Sequence, residues 1–81
     1  SSDIVVKIEP NEDGVEIELT SKVLQQYGTQ IEAVIRETLK ELGIENAKVT
    51  AIDKGALDCT VRARTQAAVF RAAESTDYPW K

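Results

Sequence analysis

Ile4, Val6 and Ile8 alternate with Val5, Lys7 and Glu9, the period-two pattern of a strand that buries one face. Pro10, which has no backbone donor, ends that strand. After the turn-forming Asn11-Glu12-Asp13-Gly14 the alternation resumes, with Val15, Ile17 and Leu19 on one side and Glu16, Glu18 and Thr20 on the other. The two strands are predicted to pair as a hairpin. From Ser21 the period lengthens. Val23, Leu24, Tyr27, Ile31, Val34, Ile35, Leu39 and Leu42 recur at three- and four-residue steps, and Glu32, Arg36, Glu37, Lys40 and Glu41 form the polar back of an amphipathic helix. Gly28 interrupts it, and Thr29-Gln30-Ile31-Glu32 has the form of a capping box, so a short helix is predicted before a longer one. Gly43 supplies a left-handed stop.

Ala47, Val49 and Ala51 alternate with Lys48, Thr50 and Ile52 as a third strand, and Asp53-Lys54-Gly55 is a turn. Leu57, Cys59 and Val61 then alternate with Asp58, Thr60 and Arg62, which predicts a second hairpin. The Ala-rich stretch from Ala63 to Ala73, anchored by Val69 and Phe70, is a final helix that Ser75-Thr76-Asp77 ends, leaving a C-terminal tail over 75–81. The order strand, strand, helix, strand, strand, helix predicts an α+β two-layer sandwich, one antiparallel sheet with both helices on a single face. All of 1–81 is expected to be one domain, because a chain of 81 residues buries only roughly 60–65% of its unfolded surface and has no room for a second core.

At 42% hydrophobic and 30% charged residues the chain falls in the soluble globular class. No apolar run approaches the roughly 18 residues of a membrane span. Ser1-Ser2-Asp3 shows no basic region leading into an apolar stretch, so no leader is expected, and the absent Met suggests a trimmed or tagged end. A net charge of −4 and a pI near 4.7 oppose nucleic-acid binding. The charge is segregated. Residues 1–47 carry ten acids against four bases, whereas residues 48–73 carry five bases, Lys48, Lys54, Arg62, Arg64 and Arg71, against Asp53 and Asp58. Such a distribution is either an ordinary solvated surface or a docking or phosphate-facing patch built on three arginines.

One cysteine and no histidine exclude a Cys/His zinc site, a Ser-His-Asp or Cys-His nucleophile and an imidazole base. Any reaction this chain serves draws its catalytic groups from elsewhere. Cys59, in phase with Leu57 and Val61, is expected to be a buried thiol, and Glu16 and Glu18 a solvated strand face rather than an acid–base pair. Asp58, Arg62 and Arg64 meet where the last strand joins the last helix. They fit either a structural ion pair or Arg recognition of a phosphate or carboxylate. Ser1 and Ser2, taken on physics alone, are a flexible tail.

The stretch Asp53-Lys54-Gly55-Ala56-Leu57-Asp58-Cys59, followed by Arg62-Ala63-Arg64 and Arg71-Ala72, resembles the most distinctive segment of the citrate lyase acyl carrier protein family, the gamma subunits of citrate lyase. The resemblance extends back through Gln26-Tyr27-Gly28, Ile31 and the strand ending Val15-Glu16-Ile17-Glu18-Leu19, and forward to Pro79-Trp80. It implies a non-catalytic carrier in a bacterial, cytoplasmic, citrate-fermenting complex. That family attaches its prosthetic group, a phosphoribosyl-dephospho-CoA derived from triphosphoribosyl-dephospho-CoA, by a phosphodiester to the first serine of a Glu-Ser-Ser-Asp or Glu-Ser-Gly-Asp motif. Ser1-Ser2-Asp3 matches the end of that motif, which implies attachment on Ser1, with Ser2 as the fallback and residues 1–3 as a flexible attachment segment.

The implied partners are the alpha subunit, an acyltransferase that exchanges acetyl for citryl, the beta subunit, a lyase that releases oxaloacetate, and a prosthetic-group transferase. Arg62, Arg64 and Arg71 are expected to face a partner or the arm. The malonate decarboxylase carrier uses the same kind of group and is the rival reading. A bare protein-interaction module is another. The all-helical carriers with an Asp-Ser-Leu motif do not fit, because the chain lacks both the motif and the pattern.

Overall fold

A computed structural model describes residues 3–21 and 28–75. Three strands, β1 (Asp3–Glu9), β2 (Val15–Ser21) and β3 (Ala47–Lys54), and two helices, α1 (Gly28–Glu41) and α2 (Asp58–Ser75), follow in the order β1-β2-α1-β3-α2. The α+β class stands as expected. The helices cover the sheet face carrying Ile4, Val6, Ala47, Val49 and Ala51, with α2 over β1 and α1 over β2. Val5 and Ile52 lie on the opposite, exposed face.

The strand pairing differs from the predicted hairpins. The sheet order is β1-β3-β2, with β3 antiparallel to β1 (Val6 opposite Ala51) and parallel to β2 (Ile17 opposite Val49), so the sheet is mixed. Periodicity reveals which face a strand buries and not which strand lies beside it. A strand that returns through a helix naturally pairs parallel to the strand it left, so β3 takes its place beside β2. The 10–14 link then steps across the start of β3 instead of closing a hairpin. Ala47 N donates to the Gly14 carbonyl at 3.0 Å and Gly14 N to Asn46 Oδ1 at 2.8 Å, with Gly14 at a φ of 80°.

The predicted strand over Leu57–Arg62 is also corrected. Thr60 N and Val61 N both donate to the Leu57 carbonyl, at 2.9 and 3.0 Å, and the segment is the first turn of an 18-residue helix. Val61, Thr65, Ala68 and Val69 form its buried stripe, spaced for a helix. Thr65 enters this stripe because its hydroxyl donates to the Val61 carbonyl at 2.8 Å. Within α1, Ile31, Val34, Ile35, Thr38 and Leu39 are buried as the pattern requires. Its end is a Schellman motif: Ile44 N donates to the Leu39 carbonyl at 2.9 Å and Gly43 N to the Lys40 carbonyl at 3.1 Å, with Gly43 at a φ of 76°. The capping box does not form as expected, since the helix begins before Thr29 and Glu32 pairs with Arg36 at 3.3 Å. The short helix expected before Gly28 and the 76–81 part of the tail lie outside the described residues.

Candidate functional site

The mixed sheet brings the start of β1 and the ends of β2 and β3 to one edge of the molecule, because Asp3 pairs with Lys54 and Ser21 with Asp53. Both helices begin there too, as the Gln30 Nε2 to Asp58 Oδ2 hydrogen bond of 2.8 Å shows. In parallel βα units the carboxyl ends of the strands are where ligands are customarily met.

Asp53 organises this end. It falls in the buried phase of β3 and is wholly enclosed, yet it carries a carboxylate. Its Oδ2 accepts the Ser21 hydroxyl at 3.1 Å and its Oδ1 accepts Ala56 N at 2.9 Å. A buried carboxylate is tolerable only when so bonded, and the bonds fix the end of β2 and the loop into α2 at once. Gly55, at a φ of 91°, lets the loop turn and bridges to Asp3.

Asp3 is the residue through which residues 1 and 2 join the fold. Arg64 Nε and Nη2 donate to its Oδ1 and Oδ2, each at 3.0 Å, and Ile4 N donates to Oδ1 at 2.7 Å. Those bonds, the Arg64 fork first and the Ile4 amide second, hold the Asp3 carboxyl below its ordinary value. Between the first turn of α1 and the loop into α2 lies a cleft of about 480 Å³, lined by Gln30, Ile31, Gly55, Ala56, Leu57 and Asp58, with Asp53 behind them.

Several expectations about residues change with this geometry. Cys59 is exposed, on the first turn of α2, and not a buried strand thiol. Leu57, expected inward, is exposed. Arg62 does not pair with Asp58. It bridges the helices, with Nη2 donating to Glu37 Oε1 at 3.0 Å and Nη1 to Glu41, and these carboxylates raise its pKa further. Arg64 and Arg71 do share a side of α2, where both line a shallow depression beside Asp3 and β1. Glu16 and Glu18 are exposed, as expected.

Ser1 and Ser2 lie outside the described residues. Asp3, expected in a flexible segment, is the first residue of β1 and is held by Arg64, and Asp53, expected in a turn, lies within β3; the sequence pattern gives neither residue, nor Gln30, a role at this end. The signal for Asp53 was available, an acid at the fourth position of the buried series Ala47, Val49, Ala51. Among the described residues no group of three metal-ligating side chains occurs, and no helix is long and apolar enough to cross a membrane.

Residues 1–72 match the family model described as "ACP: Malonate decarboxylase delta subunit (MdcD)". The chain is 54% identical over 81 residues to a protein of Streptococcus uberis named citrate lyase acyl carrier protein, covering 100% of this chain and 80% of the relative. Proteins of the same name from Lactobacillus helveticus and Escherichia fergusonii are each 57% identical, over 98% and 99% of this chain and 81% and 84% of their own lengths. At that identity over nearly its whole length, the chain belongs to the citrate lyase acyl carrier protein family.

Proposed function

We propose that this chain is the acyl carrier subunit of a bacterial, cytoplasmic citrate lyase, holding acetyl and citryl thioesters on a phosphoribosyl-dephospho-CoA arm attached to Ser1. The observation that carries the reading is the construction of the attachment end: the residue that follows the two serines, Asp3, is gripped by a two-pronged Arg64 bond and bridged to Gly55. A fixed base beneath the attachment serine is what a long tether needs. The residues present fit such a group, since the neighbouring cleft offers apolar Ile31 and Leu57 together with the Gln30 amide. When attached, the group supplies a thiol that bears the acyl chain. This chain's own part is to hold and present it, at an effective concentration on the order of millimolar for each partner site.

Citrate cleavage itself is then the work of the alpha acyltransferase and beta lyase subunits, and a transferase installs the arm. Arg64 and Arg71, which line one depression beside Asp3 and β1, are the arginines we assign to a partner-facing side of the chain. The second reading, the malonate decarboxylase carrier, is favoured by the description of the matching family model alone. Incubation with the transferase and its donor tests the attachment. The parent and Ser2→Ala gain the mass of the arm and Ser1→Ala does not. Loading of Ser1→Ala with none of Ser2→Ala moves the site by one residue.

A further inference from the structure

Leu57 is 67% exposed, more than Phe70 at 58% or Val5 at 56%, and it borders the cleft between α1 and the 53–58 loop. The volume of about 480 Å³ lies within the span of small-molecule sites, roughly 300–1,000 Å³. Its walls are held in place by the Asp53 bonds to Ser21 and Ala56 and by the Gln30–Asp58 bond. The chain enters the fold at its edge. Asp3 is bridged to Gly55, which lines the cleft, and two residues span at most about 7 Å whatever course they take.

We propose that this cleft holds the uncharged thioester end of the serine-borne arm between transfers, an inference that rests on the carrier reading above. Its chemistry selects that part of the arm. Ile31, Ala56 and Leu57 suit an aliphatic chain, and the Gln30 side chain suits the amides along it. The Asp53 and Asp58 carboxylates oppose the phosphates and any acyl group that bears carboxylates. A neutral acetyl end therefore rests in the cleft, and a polycarboxylate end is turned out toward solvent and a partner. The charge of the cargo decides which form is sheltered.

The test uses full-length protein in a Cys59→Ser background, so that the arm carries the sole thiol, with loading first read as added mass. Methyl spectra of unloaded, acetyl-loaded and succinyl-loaded protein are then compared. Acetyl loading is expected to shift the methyls of Ile31, Ala56 and Leu57, and succinyl loading to leave them near their unloaded positions. With the free-thiol arm, alkylation by neutral iodoacetamide should run about tenfold slower than for coenzyme A, as for an arm docked about ten to one. Leu57→Glu, at an exposed position, and Gln30→Glu should each restore the fast rate.

Cleft methyls that acetyl loading leaves unmoved, or an alkylation rate equal to that of coenzyme A, overturn the proposal while leaving the carrier reading intact. Equal shifts from acetyl and succinyl overturn the sorting by charge. A chain that gains no mass from transferase and donor overturns both the carrier reading and this occupant.

Discussion

Replacing Asp53 by Ala should be among the most damaging single changes available outside the apolar core. The carboxylate is wholly enclosed and accepts two hydrogen bonds, from the Ser21 hydroxyl at 3.1 Å and from Ala56 N at 2.9 Å. Each bond to a charged acceptor contributes about 1.5–3 kcal/mol, and the loss leaves the half-buried Ala56 amide without its acceptor. The two share one acceptor group, so their effects do not simply add, and we expect about 2–4 kcal/mol in total. Against a stability of about 5–15 kcal/mol for a whole domain, that is a large fraction.

At about 4–8 °C per kcal/mol for a chain of this size, the midpoint of thermal unfolding should fall by roughly 8–32 °C. Asp53→Asn keeps the shape and the acceptor for Ala56 N, and the Ser21 hydroxyl can rotate to accept from the new amide, so its cost should be nearer about 1 kcal/mol. Urea unfolding followed by circular dichroism measures both, with unchanged slopes confirming that the unfolded states are comparable. A loss below about 0.5 kcal/mol for Asp53→Ala, the size of an ordinary surface change, would refute the role given to this carboxylate.

Gly43→Ala places a side chain at a φ of 76° and should cost about 1–2 kcal/mol in the same urea assay. The Arg64 fork holds the Asp3 carboxyl below its ordinary value, so its contribution to stability is complete above the unfolded value of about 3.9 and lost as pH falls through the folded one. The stability gap between the parent and Arg64→Ala should thus be flat above about pH 5 and close below about pH 4. Cys59, exposed on α2, should react fully with a thiol reagent in the absence of denaturant, and protection until unfolding would show that the helix start is misplaced.

Local pattern sufficed for β3, where Ala47, Val49 and Ala51 are buried as their alternation requires, and for the α1 stripe with its Gly43 stop. It did not suffice for pairing. Nothing in residues 4–9 or 15–19 encodes that a strand some 30 residues later inserts between them, because that depends on the return path through α1. The start of α2 escapes the local pattern for a different reason. Leu57, Cys59 and Val61 satisfy a two-residue period over too short a span, and the longer series Val61, Thr65, Ala68, Val69 prevails once Thr65 is counted as buried. At the site, the serines are proposed from family resemblance alone and lie outside the described residues. The nearness of Asp3 to Gly55 and to Arg64 arises from contacts across more than 50 residues.

The mass of the protein isolated from the cells that make it decides whether this chain carries an acyl arm on Ser1. Intact mass followed by fragmentation of the peptide that holds Ser1 locates the added group and identifies its acyl end. We expect one phosphoribosyl-dephospho-CoA group per chain, on Ser1, bearing acetyl. A malonyl end would assign the chain to the malonate decarboxylase reading, and an unmodified Ser1 peptide from cells actively fermenting citrate would contradict the carrier account altogether.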